Sequence, residues 1–195
     1  LTEAQGNEEV VARFAREARA AVRIKSEHVA RVSDVGTLDS GLPYIVMEYL
    51  EGGDLATWIR DRGRLPIALS IEFVMQACEA VAEAHALGIV HRDIKPSNLF
   101  CVRRSDGLLF IKVLDFGISK LAPDAATGAE LSMTKTTTVM GSPLYMSPEQ
   151  MQSTRDVDMR TDIWSLGVVL YALLVGTPPF TCSTLAEVCI KVASH

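Results

Sequence analysis

Apolar positions recur along this chain with two different periods, and the changes of period mark out its elements. Val10, Val11, Phe14, Ala18, Ala21 and Val22 fall at the spacing of one helix face, with Asn7 as N-cap and Glu8 and Glu9 in the first turn. Glu17 lies roughly 60° round from Phe14, at the border of that apolar stripe, and Arg16, Arg19 and Arg23 take the far side. HVARVSDVGTL and PYIVMEYL read as two strands joined by a turn around DSG. EGGD then breaks the strand, and Asp54 is placed to cap a short helix, DLATWIRDRG. From Pro66 to Leu87 the helical period returns, with Leu69, Phe73, Ala77 or Cys78, Val81 and Ala84 facing inward and Gly88 as the stop. LFCV and LLFIKVL predict two short strands around the turn RRSDG. DIWSLGVVLYALLVG is apolar all round, which predicts a buried helix, and TLAEVCIKVAS predicts one more.

Residues 115 to 149 break both periods, being poor in large apolar side chains and rich in Thr, Ser, Gly and Pro, as long functional or disordered loops are. The rest of the composition narrows the class. At 195 residues, 48% apolar and 22% charged, the chain can bury one sizeable core. A net charge of -5 offers no electrostatic footprint for nucleic acid, so any phosphate ligand must be held by local groups. Cys78, Cys101, Cys182 and Cys189 form no CxxC pair and sit in apolar patterns, which suits reduced core thiols in a cytoplasmic protein. The longest apolar run, residues 166 to 176, is too short to cross a bilayer. Neither end carries a recognisable start or tail, so a fragment is expected.

The candidate chemistry begins at HRDIKPSNLF, residues 91 to 100, a polar loop held between a helix and a strand. DFG at 115 to 117 ends the strand LLFIKVL, and SPE at 147 to 149 closes the long loop behind it. Asp93, Asn98 and Asp115 then form a set. An Asn and an Asp on neighbouring strand ends are a plausible oxygen pair for magnesium, and a carboxylate left free of metal could serve as a base.

HRDIKPSN, DFG, GSPLYMSPE and DIWSLG, in that order, resemble the signature of protein kinases. The chain looks closest to bacterial Ser/Thr kinases of the eukaryotic-like type, from the αC helix to about αG. The resemblance implies an α+β, two-lobe fold, with a partial small lobe at residues 1–50 and a large lobe at 51–195. It implies ATP with Mg2+ (or Mn2+) as cofactors, protein Ser/Thr substrates, and room for dimerisation in autophosphorylation.

Residue by residue, the resemblance makes Asp93 the base and Lys95 the group that steadies the transferred phosphoryl. Asn98 and Asp115 become metal ligands. Met47 matches the gatekeeper, the backbone of Glu48 to Leu50 the adenine hinge, and Phe100 the floor beneath adenine. Glu17 matches the acid that pairs with the ATP-binding lysine. Arg92 matches the partner of an activation-loop phosphate, for which Thr134, Thr136 and Thr138 are candidates. Ser142 stands where such kinases usually have Thr, Glu149 closes SPE, and Asp162 either braces the catalytic loop or merely caps its helix. The pattern also departs from the family: no G-x-G-x-x-G occurs and no lysine precedes Glu17, so the 195 residues alone are expected to be inactive. A non-catalytic kinase-like binding module is the alternative.

Overall fold

The computed structural model describes residues 18, 20–104, 106–116, 142–152, 157–182 and 184–194. The fold is α+β. Strands β1 (Val32–Thr37) and β2 (Pro43–Met47) form an antiparallel two-stranded sheet, where the sequence predicts a hairpin. A three-stranded antiparallel sheet follows, in the order β3 (Gly52–Asp54), β4 (Leu99–Arg103), β5 (Leu109–Val113). Residues 28–30 join the two sheets by running parallel to the end of β5: the Val113 amide donates to the His28 carbonyl at 2.8 Å, and the Ala30 amide to the Val113 carbonyl at 3.0 Å.

Strand β2 ends at Met47, before EGGD as predicted, but residues 52–54 then form a short strand on β4 that the sequence pattern does not predict. Gly52 makes this approach, because a Cβ there would run into the Cys101 carbonyl. Asp54 caps helix α1 (Leu55–Arg62) as expected, its Oδ1 accepting from the Thr57 amide at 2.8 Å.

Helix α2 (Ile67–Ala86) carries the core. It buries Phe73, Ala77, Ala80, Val81 and Ala84 against β5 on one side and helix α4 (Arg160–Val175) on the other. Of the two residues offered for one inward position, Ala77 is buried and Cys78 exposed. The expectation of core thiols thus holds for Cys101 alone; Cys182 and Cys189 are only half-buried. Val22, predicted inward, is 51% exposed, because the helix ends at Ala21 and the chain turns, taking Val22 out of phase with buried Ala18 and Ala21.

Helix α4 is buried on one face only. Leu166, Val169, Ala172 and Leu173 enter the core, whereas Ile163 and Tyr171 stay 58% and 45% exposed along a groove of about 820 Å3 completed by Trp164, Pro179 and Phe180. An all-round apolar sequence therefore overstates its burial. Short helix α3 (Pro148–Gln152) precedes α4, and α5 (Leu185–Ser194) ends the described chain. Among the described residues no helix is long and apolar enough to cross a membrane.

Candidate active site

The loop between α2 and β4 is fixed by one buried carboxylate. Asp162, in the first turn of α4, accepts from the His91 amide at 2.8 Å and the Arg92 amide at 2.8 Å, one bond to each oxygen. His85 Nε2 lies 2.7 Å from Oδ2. Asp162 is fully buried, and the N-cap of its helix is Met159, so its carboxylate bonds the loop backbone and not the cap position.

That clamp holds Arg92 at φ 66, a left-handed conformation uncommon for a side chain of its size. The Gln150 amide on α3 donates to the Arg92 carbonyl at 2.8 Å, closing the turn from the other side. The positive φ swings the next residue inward. Asp93 is 9% exposed, and its Oδ2 lies 2.7 Å from Lys95 Nζ. The Asn98 amide nitrogen donates to the Asp93 carbonyl at 2.8 Å and to Oδ2 at 3.2 Å. With its nitrogen committed to Asp93, Asn98 keeps its Oδ1 as an acceptor for another group.

Asn98 closes a 3-10 turn that begins at Pro96. Its carbonyl accepts from the Leu114 amide at 2.9 Å, which ties this loop to the residue before Asp115. Asp115, two residues beyond the end of β5, has φ 55, and so joins Arg92 as a non-glycine residue held at positive φ. Among the described residues no group of three His, Cys, Asp or Glu side chains converges on a metal position. Asn98 Oδ1 and the Asp115 carboxylate are instead a donor set of the kind magnesium takes, two protein oxygens with the remaining positions left to phosphates and water.

His91 is the residue that sequence reasoning passed over. Its ring is fully buried, with Nε2 2.8 Å from the Leu114 carbonyl and Nδ1 accepting from the Asp93 amide at 3.2 Å. A carbonyl can only accept, so Nε2 carries the proton and the ring is neutral. Burial lowers its pKa from 6.5, against the raising pull of the Asp162 charge and the Leu114 bond. Gln150 and the Ser147–Thr161 hydroxyl pair (2.7 Å) were missed as well, and a one-dimensional pattern offers no signal for either.

The family model for the protein kinase domain matches residues 2–193. The chain belongs to the protein kinase family. Among curated relatives of this kinase chain, a probable serine/threonine-protein kinase of Clostridium perfringens is 41% identical over 189 residues, covering 97% of the chain and 26% of the relative. The serine/threonine-protein kinase Pkn1 of Myxococcus xanthus is 42% identical over 180 residues, covering 91% and 24%. The chain thus spans about a quarter of the length of the curated relatives it matches. The solved kinase domain of Mycobacterium tuberculosis PknI superposes with a TM-score of 0.67 at 28% identity, covering 89% of this chain and 60% of that one.

Within the kinase frame, the remaining predicted residues fall in three places. Met47 ends β2, and Glu48 to Leu50 lead from it toward β3. Phe100 lies on β4 with its ring close to Gly52. Ser142 opens a 3-10 turn, Ser142–Tyr145, that is pinned to α4 where Ser165 Oγ donates to the Tyr145 carbonyl at 2.8 Å. Burial pushes the Tyr145 hydroxyl in that turn up to about 12. Glu149, in the first turn of α3, lines the groove beside α4. Glu17, Thr134, Thr136 and Thr138 lie outside the described residues.

The neutral His91 makes stability depend on pH. A folded-state pKa below 6.5 means that the unfolded chain binds the proton first, so this contribution is complete above about 6.5 and is lost as pH falls below it. Denaturant midpoints taken from about pH 7.5 to about pH 5.5 should fall, and His91→Gln should flatten the slope. A slope unchanged in the variant would remove His91 as its source.

Proposed function

We propose that the chain is the catalytic part of an ATP-dependent serine/threonine protein kinase. The observation that carries this is a buried carboxylate, Asp93, held against an ammonium, Lys95, at 2.7 Å in a loop whose Asn98 presents a spare oxygen. Asp93 orients a substrate hydroxyl and accepts its proton. Lys95 steadies the negative charge between that hydroxyl and the transferred phosphoryl, and its place two residues after the base favours Ser and Thr over Tyr. Asn98 Oδ1 and the Asp115 carboxylate hold Mg2+, or Mn2+ in its place. When bound, the nucleotide and its metal supply the phosphoryl group and the neutralisation of its charge. The backbone of Glu48 and Leu50 bonds adenine over Phe100, and Glu17 awaits a cationic partner.

On this reading residues 1–50 belong to a small lobe and 51–195 to a large lobe. Ser142 belongs to the segment that receives the protein substrate, and Glu149 and Asp162 are structural. Arg92 Nε is buried and has no partner among the described residues, which supports a phosphate on Thr134, Thr136 or Thr138 as its counter-charge.

The test is transfer of labelled γ-phosphate from Mg-ATP by the intact protein to Ser, Thr and Tyr peptides, with the phosphoamino acids identified and the label on the protein itself mapped. Label on Ser and Thr is expected; label on Tyr alone, or none, overturns the reading. One sequence feature favours a second reading for the 195 residues taken alone, as a binding module: they contain neither G-x-G-x-x-G nor a lysine before Glu17. Loss of one preorganised charge-stabilising group costs roughly 10² to 10³ in rate, so residues 1–195 by themselves should transfer no measurable phosphate in the same assay.

A further inference from the structure

In an antiparallel ladder, residues of a hydrogen-bonded pair exchange two bonds, each N–H meeting the other's C=O. The register of β1 and β2 puts Val32 opposite Met47, so Arg31 and Glu48 are the next pair. Half of their exchange is present: the Glu48 amide donates to the Arg31 carbonyl at 2.9 Å. The other half is intercepted. The Arg31 amide donates at 2.8 Å to Oε1 of the Glu48 side chain, and among the described residues nothing donates to the Glu48 carbonyl.

The intercepting carboxylate is itself held. Lys112 Nζ on β5 lies 2.8 Å from the same Oε1 and 3.3 Å from the Val29 carbonyl. It therefore grips both places where the chain passes between the two sheets, at residue 29 and at residue 48. The Lys112 side chain is 15% exposed and sits directly across the β4–β5 ladder from Phe100. Burial alone would raise the Glu48 carboxyl; the bonds from Lys112 and Arg31 outweigh it and hold the group below its ordinary value, fully ionised at neutral pH.

We propose that the Glu48 side chain, fixed by Lys112, keeps the Glu48 carbonyl out of the strand ladder and so available to the 6-amino group of a purine, which makes Lys112 a positioning residue for base selectivity. This rests on the reading of residues 48–50 as the adenine-binding segment. Without the anchored carboxylate, the Arg31 amide has one acceptor left in register, the Glu48 carbonyl. Closing that bond turns the carbonyl into the sheet and removes the acceptor that receives a 6-amino group and repels a 6-oxo group. A polar group built to receive a hydrogen bond discriminates far better than an apolar wall does.

The test is calorimetric titration of the intact protein with ADP and with inosine diphosphate, its 6-oxo counterpart, for wild type, Lys112→Met, Lys112→Arg and Glu48→Val. Wild type should prefer ADP. The ADP-to-inosine diphosphate ratio should fall roughly 5- to 10-fold in Lys112→Met and Glu48→Val, the size expected for one lost hydrogen bond, with inosine diphosphate affinity little changed. Lys112→Arg should keep the ratio. A ratio unchanged in folded Lys112→Met, with both affinities equal to wild type or lowered together, overturns the proposal and leaves Lys112 a structural residue. If Lys112→Met does not fold, Glu48→Val carries the same comparison. Wild type binding neither nucleotide is a different failure, because it removes the adenine-binding reading and the proposal with it.

Discussion

Asp93→Asn should reduce phosphate transfer by the intact protein by roughly 10² to 10⁴, the usual worth of a positioned general base. The change is nearly isosteric, and the Asn98 nitrogen can still donate to the residue 93 carbonyl, a bond made to backbone and not to the carboxylate. What is lost is an oxygen able to accept the substrate proton and a counter-charge 2.7 Å from Lys95 Nζ. Both act where charge develops in the transition state, so nucleotide affinity should stay within about 2-fold of wild type, and the loss should appear in kcat. The measurement is steady-state transfer to a Ser or Thr peptide beside direct nucleotide binding. Near-native turnover would remove Asp93 as the base. An equally large loss of nucleotide affinity would instead place Asp93 among the metal or nucleotide ligands.

Much of the scaffold around Asp93 was legible in the sequence because it follows local rules. Asp54 caps its helix as its type and position predict, and the hairpin around DSG and the strands LFCV and LLFIKVL appear where their patterns put them. Reading failed where the outcome depends on a neighbour distant in the chain. Gly52 to Asp54 look like a breaker until β4 supplies a strand to pair with. Ala77 and Cys78 are equally apolar, and only the direction of α4 and β5 decides which turns inward. Helix α4 reads as buried all round, although the elements packed on it cover one face.

The candidate site divides the same way. Asp93, Lys95 and Asn98 lie within six residues and could be grouped by eye, and the structure brings them together. The residues that orient them could not be read. Gln150 reaches Arg92 across 58 positions, and His91 acts as a neutral spacer between the Asp93 amide and the Leu114 carbonyl, which its place in a His-Arg-Asp triplet does not reveal. Asp162 could be read two ways, as brace or as cap; its carboxylate accepts from the His91 and Arg92 amides, and Met159 holds the cap position.

Those two bonds lead to the largest expected loss of stability. Asp162→Ala strips the acceptors from the buried His91 amide and from the Arg92 amide at once, each bonded at 2.8 Å, and leaves His85 Nε2 without its partner at 2.7 Å. Removing one side of such a buried charged network costs about 3 to 5 kcal/mol, because the remaining groups stay desolvated and unpaired. The Arg92 backbone at φ 66 adds to this, since a conformation costing about 1 to 3 kcal/mol persists only while its surroundings over-determine it. Once released, residue 92 should relax to negative φ and carry Asp93 out of register with Lys95 and Asn98. The variant should therefore unfold at markedly lower denaturant and, at a temperature where it is folded, transfer phosphate far more slowly. Asp162→Asn separates the two effects: it keeps the volume but turns one acceptor into a donor facing an amide, so it should recover part of the stability and little of the activity. A folded Asp162→Ala protein with wild-type midpoint and turnover would show that Gln150 and the Asn98 bonds suffice to hold the loop, and that the buried carboxylate is not its anchor.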